Sequence, residues 1–251
     1  MNFQGKTVIV TGATGGIGKE LVSRLITAGA NVVAAGRNAD QCAQLEQRFG
    51  QQLKAMPGDI TVPEYCQDLV DHAVRHFGGV DLLFNNAGSI PRGTAEQTTD
   101  QMWDEALEVN LSAAFRLSRA VLKPMIDNGG GAIVNTASAW GLYPGPGHLA
   151  YCTAKGALIT MTKCMGRDHA AQGIRVNAVC PNEVDTPMLR SGFEHRGLDA
   201  ENAVRELDST VPLGHIAKPA EIVDAMLFLA SAQARYITGT VLEVTGAKPV
   251  Y

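Results

Sequence analysis

Long apolar runs are missing from this chain. No stretch is long and apolar enough to span a membrane, so no membrane partner is expected. Runs of lysine or arginine are missing too. The 21 basic and 25 acidic residues are interspersed and leave a net charge of −4, which carries no nucleic-acid footprint. Metal patterns are equally scarce. The six histidines are scattered, and the five cysteines (Cys42, Cys66, Cys152, Cys164 and Cys180) form no C-x-x-C pair. They read as reduced structural thiols, Cys152 included, and no metal site is expected. The first residues, MNFQGKTVIV, lack a charged segment followed by an apolar core and a cleavage site. They read as the start of a strand, and a cytoplasmic location is expected. There is no low-complexity linker and no internal repeat.

What the chain does have is enough apolar substance for a large core: 45% hydrophobic residues over 251 positions. Short β-branched runs alternate with helical patterns along its length. Strands are read at residues 6–11, 31–35, 53–57, 80–84, 132–137, 174–180 and 240–244, and helices at 17–28, 40–49, 63–77, 99–126, 151–171 and 219–230. Residues 188–211 read as irregular. Uninterrupted strand–helix alternation predicts an α/β fold: one domain with a doubly wound parallel sheet of the Rossmann type and helices on both faces. Its first half, about residues 1–130, is expected to bind a dinucleotide, and its second, about 131–251, to hold catalysis and substrate, with a lid near 185–215.

Two stretches carry chemistry. After the first strand comes Thr11-Gly12-Ala13-Thr14-Gly15-Gly16-Ile17-Gly18, and a helix opens there. Glycines leave room for a pyrophosphate, and the helix N-terminus offers it unpaired N–H groups. At the end of the second strand an acid would hold a ribose 2′-hydroxyl, whereas an arginine accommodates a 2′-phosphate. Gly36 occupies that position and Arg37 follows it, so NADP(H) is favoured, with NAD(H) as the alternative. The other stretch, residues 132–155, reads AIVNTASAWGLYPGPGHLAYCTAK. A buried strand ends near Ser138, a Gly- and Pro-rich loop follows, and a helix places Tyr151 and Lys155 on one face. A free phenol titrates near pH 10; an ammonium on the same face favours the phenolate, and Ser138 can hydrogen-bond the same substrate oxygen. Such a trio exchanges a proton with an alcohol but supplies no hydride.

Tyr151-x-x-x-Lys155 with Ser138 upstream, the TGxxxGxG spacing of Gly12, Gly16 and Gly18, and Asn85-Asn86-Ala87-Gly88 together resemble the classical short-chain dehydrogenase/reductase family. The resemblance implies reversible hydride transfer between a nicotinamide cofactor and a ketone or secondary alcohol, with Asn110, Ser138, Tyr151 and Lys155 catalytic. Asn110 would hold a water that relays protons to Lys155. By the same resemblance the cofactor is contacted by Gly12, Thr14, Gly15, Gly16, Ile17, Gly18, Arg37, Asp59, Ile60, Asn86, Ala87, Gly88, Tyr151, Lys155, Pro181, Asn182, Val184 and Thr186. A homotetramer is also implied, packed through the 99–126 and 151–171 helices. The chain departs from the family at Pro181-Asn182, where Pro-Gly is usual, and at Gly15, where NADP-binding members often carry a base.

Substrate is expected to meet Ser138, Trp140, His148, Tyr151 and Glu183, with Tyr143 and Asn182 nearby and Arg190, His195 and Arg196 able to meet a carboxylate or phosphate. That wall points to a small polar ketone or alcohol, sugar-derived or a keto acid. The alternatives are a 3-oxoacyl reductase acting on an acyl-carrier protein and, in another class, a non-catalytic dinucleotide-binding sensor. Against the carrier-linked reading, neither Asp127-Asn128-Gly129-Gly130-Gly131 nor Gln172 supplies a base for an acidic carrier.

Overall fold

The computed structural model describes residues 1–194 and 196–248. Seven parallel strands form one sheet in the order β3-β2-β1-β4-β5-β6-β7. They are β1 (Thr7–Thr11), β2 (Asn31–Gly36), β3 (Leu53–Pro57), β4 (Leu82–Asn85), β5 (Gly131–Thr136), β6 (Ile174–Pro181) and β7 (Val241–Val244). The central strands are buried on both faces, which is why they read as continuous apolar runs rather than alternating ones. Alternation still sorts their side chains. Val8 and Val10 join a cluster with Leu21, Leu25, Ile222 and Met226, whereas Ile9 faces the other layer with Leu69, Leu117, Val121 and Ile133.

Helices α1 (Gly16–Thr27) and α9 (Pro219–Ala230) cover the first face, and α3 (Pro63–Phe77) and α5 (Ala113–Asp127) the second. Helix α2 (Ala39–Phe49) lies beside β3, and α6 (Leu149–Asp168) packs along β6. The strand order reverses between β1 and β4, so a crevice opens at the carboxyl ends of those two strands. No helix among the described residues is long and apolar enough to cross a membrane.

Three expectations need correction. The 99–126 segment is not one helix. α4 (Asp100–Leu107) passes through a single π-helical turn, Glu108–Ser112, before α5 begins. The wide turn directs Asn110 inward, where its amide donates to Ala106 O and Ser89 O (both 3.0 Å) and accepts from Ser89 N (3.2 Å). Nor is 188–211 irregular. It forms α7 (Pro187–Glu194) and α8 (Ala200–Ser209). Pro187 presets the first turn of α7, and Asp199 caps α8 by accepting from Asn202 N at 2.9 Å. Phe193, Ala203, Val204, Val211 and Ile216 give this pair its own small core, a pattern hidden by the many charges between them. Helix α6 also starts earlier than expected, at Leu149, which places Tyr151 inside its first turn.

Candidate active site

The glycine loop is carved by close approaches. Gly12 has φ +62°, and a Cβ there would lie 3.0 Å from Ala87 Cα. A Cβ on Gly18 would fall 2.0 Å from Gly12 O, and one on Gly16 2.7 Å from the Thr186 methyl. These contacts pull the first turn of α1, the end of β4 and the start of α7 to one point. Asn86 and Ala87 lock that point, each donating its backbone N–H to Thr11 Oγ1 at 3.0 Å, while the Asn86 amide donates to Thr11 O and Gly12 O. Helix α1 has no side-chain cap at Gly15, so its first N–H groups are left facing the crevice. That is the donor set a pyrophosphate needs, and Thr14, Gly16 and Ile17 lie along it. The residues therefore fit a dinucleotide.

At the far end, Gly36 closes β2. A Cβ there would meet Thr14 Oγ1 at 2.9 Å, so a larger residue at this position requires the Thr14 side chain to shift. Asp59 Oδ1 accepts from Thr61 N and Thr61 Oγ1, and these bonds hold its carboxyl below the usual range, with Arg37 adding to the effect. Arg37 therefore stands near Asp59.

Beyond β5 lie Ser138, Tyr151 and Lys155, side chains able to exchange a proton. Ser138 is buried and begins a short turn, Ala139–Gly141, that rests on α6 so tightly that a Cβ on Gly141 would lie 2.8 Å from Lys155 C. Tyr151 and Lys155 are also buried. Burial pushes the Tyr151 phenol up to about 12, while the Ser138 side chain, within hydrogen-bond reach, favours the phenolate. Burial pulls Lys155 down to about 8. Its ammonium donates to Thr136 O at 2.7 Å and sits 5.9 Å from the Tyr151 ring centre. This corrects the expectation that Lys155 lowers the phenol: desolvation outweighs it in the protein alone. Asn110 and Lys155 both border Gly88, Asn110 Oδ1 3.0 Å and Lys155 Nζ 3.5 Å from where a Cβ would stand.

The expected substrate residues divide. Trp140 stacks on His148 (4.3 Å between ring centres) and meets Tyr151 edge-on (6.5 Å), so these three come together. Glu183 does not reach toward them freely, because Lys248 pairs with it at 2.8 Å. Tyr143 donates to Glu243 at 3.3 Å. Arg190 is neutralised by Asp185 and Glu201, each at 2.7 Å. Pro181 ends β6, and from there Asn182 N reaches Val244 O while Val184 bridges to Ala217. His195 lies outside the described residues. Among those described, no group of His, Cys, Asp and Glu could hold a metal ion. Arg92 is the residue the sequence reading missed. Nothing in Ser89-Ile90-Pro91-Arg92 announces that this loop reaches α7, where Arg92 Nη2 comes within 3.4 Å of a Cβ position on Gly192.

A parallel sheet with a nucleotide crevice at its switch point, flanked by a buried Ser–Tyr–Lys group, defines a nicotinamide-dependent oxidoreductase acting on a CH–OH or keto group. The short chain dehydrogenase family model matches residues 6–197, and the chain belongs to that family. It is 36% identical over 246 residues to the 3-oxoacyl-[acyl-carrier-protein] reductase FabG of Vibrio cholerae, covering 98% of each chain. To the enzyme of the same name from Escherichia coli it is 34% identical over 248 residues, again with 98% of each covered. A solved 3-ketoacyl-(acyl-carrier-protein) reductase from Brucella melitensis, complexed with NADH, superposes with a TM-score of 0.90 at 28% identity, covering 98% of this chain and 99% of the other.

Proposed function

We propose that this enzyme transfers a hydride reversibly between NADP(H) and a small polar ketone or secondary alcohol. The observation that carries the chemistry is the buried Ser138–Tyr151 pair with Lys155 on the same helix face. The nicotinamide supplies or takes up the hydride at the carbonyl carbon. In reduction the Tyr151 hydroxyl gives its proton to the substrate oxygen, and Ser138 donates a hydrogen bond to that oxygen. A phenol raised to about 12 stays protonated at neutral pH, which suits the reductive direction. Lys155 would hold the nicotinamide ribose and steady the phenolate left behind. Asn110 has its amide NH₂ committed to Ser89 O and Ala106 O, so a relay water would rest on its backbone carbonyl or on the spare lone pair of Oδ1.

Arg37 near Asp59, together with a glycine rather than an acid at position 36, supports the preference for NADP(H). Trp140 supports a small substrate, since its ring meets Tyr151 edge-on and takes up space beside it. The 36% identity to a 3-oxoacyl-[acyl-carrier-protein] reductase favours a second reading, reduction of a carrier-linked 3-oxoacyl group. Exposed Phe115 on α5 and Leu149 on α6 support a homotetramer. The test is Tyr151→Phe. It should bind NADPH as the wild type does and lose about 10²- to 10⁴-fold in turnover. Near-full activity would sink the assignment. A screen of small polar ketones beside acetoacetyl thioesters separates the two substrate readings.

A further inference from the structure

The mouth of this site carries two cations, Arg92 and Arg196, both close enough to His148 to act on its charge. Arg92 follows the Asn-Asn-Ala-Gly turn, and its neighbour Gly93 is clamped to the far loop: Gly93 N donates to Gly147 O (2.8 Å) and Leu149 N to Gly93 O (3.2 Å). Arg92 is thereby fixed beside His148. Its guanidinium reaches α7 at Gly192, and one turn on, Arg196 donates from Nε to Gly192 O (3.1 Å) with its guanidinium over the Phe193 ring. Neither arginine forms an ion pair with any described residue, whereas Arg190 on α7 pairs with both Asp185 and Glu201. Burial and Arg196 together disfavour the charge on Arg92. Two like charges at one mouth are a cost unless something anionic is bound between them.

His148 points independently to a ligand. It is 6% exposed, its Nδ1 lies 2.8 Å from Pro146 O, and its Nε2 is buried without a hydrogen-bond partner. A carbonyl can only accept, so Nδ1 carries the hydrogen and Nε2 presents a bare lone pair. Burial and the two arginines keep the ring neutral. A buried acceptor in this state is satisfied by a hydroxyl donor. The ring also stacks on Trp140, which borders Tyr151.

We propose that Arg92 and Arg196 form an anion subsite, so that the substrate is a hydroxy or keto compound bearing a carboxylate, phosphate or sulfonate, with a hydroxyl taken by His148 Nε2. This rests on the oxidoreductase reading above and narrows it. The anionic group sits at the mouth between the loop at residues 89–93 and α7, while the carbonyl reaches past Trp140 to Tyr151. Arg92 is thus a specificity-determining residue outside the proton-handling group.

The test reads binding rather than turnover. The protein saturated with NADP⁺ is titrated by calorimetry with malonate, with inorganic phosphate and with malonamide, the neutral counterpart of malonate. Malonate or phosphate should bind and malonamide should not; which anion binds more tightly tells a carboxylate from a phosphate subsite. Arg92→Met should weaken anion binding about 10- to 100-fold, as should Arg196→Met, with Arg92→Lys intermediate because it keeps the charge and loses the fork. Thermal unfolding of each variant with NADPH checks that the fold and cofactor site survive. Tyr151→Phe should bind the anions as the wild type does. No anion binding, equal binding of malonamide, or affinities unchanged in both arginine variants would overturn the subsite and leave the oxidoreductase reading standing. Arginine-dependent binding in a protein that turns over no ketone would do the reverse.

Discussion

The two ends of the crevice are built from different materials. On the nucleotide side the shape is made by what is missing: Gly12, Gly16 and Gly18 let main chain approach main chain, and side chains enter mainly as stitches, such as Thr11 to Asn86 and Ala87. On the proposed substrate side the shape is made by bulk and charge: Trp140, His148, Arg92 and Arg196, carried by the loops after β4 and β5 and by the end of α7, whose helix pair has a separate small core. A backbone-carved site tolerates few substitutions and serves one ligand class. A side-chain site on its own small core can change without disturbing the sheet, so a family can keep its cofactor and vary its substrate.

That contrast can be broken in several places. The largest effect is expected from Gly18→Ala, whose new methyl collides with Gly12 O. The fold should survive at a cost of about 1–3 kcal/mol. Most of the roughly 2.7 kcal/mol that NADPH adds at a hundredfold excess over its Kd should vanish. An unchanged NADPH shift in thermal unfolding would show that the loop is not backbone-carved.

Next is pH. With the phenol near 12, the phenolate fraction grows about tenfold per pH unit below that value, so alcohol oxidation should climb steeply from about pH 7 to 9 while ketone reduction does not. A flat oxidation profile would remove Tyr151 from the proton step. The same burial has a stability signature. Lys155 drops from 10.5 to about 8, so between those values the folded chain binds fewer protons than the unfolded one. Its contribution to stability therefore rises with pH across that window, and Lys155→Met should flatten that part of a denaturation-versus-pH curve.

A smaller effect is expected at the other end of the nucleotide side. Arg37→Gln should weaken NADPH about tenfold and leave NADH unchanged. Equal loss for both would make Arg37 a structural residue.

The smallest effect uses one chemistry in both regions. Asn38 caps α2 by accepting from Gln41 N, and Asp199 caps α8 in the same way. Each change to Ala removes about 1 kcal/mol of local stability. For Asn38 the loss should appear in global denaturation. For Asp199 it should appear as faster hydrogen exchange in α8 with the global midpoint nearly unmoved. A full global loss from Asp199→Ala would mean that α7 and α8 unfold with the sheet.

Sequence reading did well where structure is local. Strand, glycine turn and helix follow each other within twenty residues, so β1, the loop and α1 were legible together, as was the i, i+4 pair of Tyr151 and Lys155. It did poorly where distant segments decide. Asn135 looks like one polar residue in an apolar strand. In the fold it relays a buried chain, accepting from Asn85 and donating to Thr162, both at 2.8 Å. Arg92 gained its meaning only when Gly93 met Gly147. The direction of the Tyr151 shift was also misjudged, because helical spacing reveals the neighbouring ammonium but not the depth of burial. The apolar rhythm of α7 and α8 was masked by the arginines and acids that solvate their outer faces.

The π-helical turn at Glu108–Ser112 has a consequence for how the chain can vary in length. A π turn holds one residue more than an α turn, and each residue rotates a helix by about 100°. It therefore sets the phase between α4 and α5. Remove one residue there and the helix could close into a regular coil. Asn110 could then keep its inward place only if Leu117, Val121 and Met125 swung out of the core, or the core could hold only if Asn110 swung away. Single-residue deletions through 108–112 should thus be far more damaging than substitutions at the same positions, and the length of this segment is as constrained as its amide.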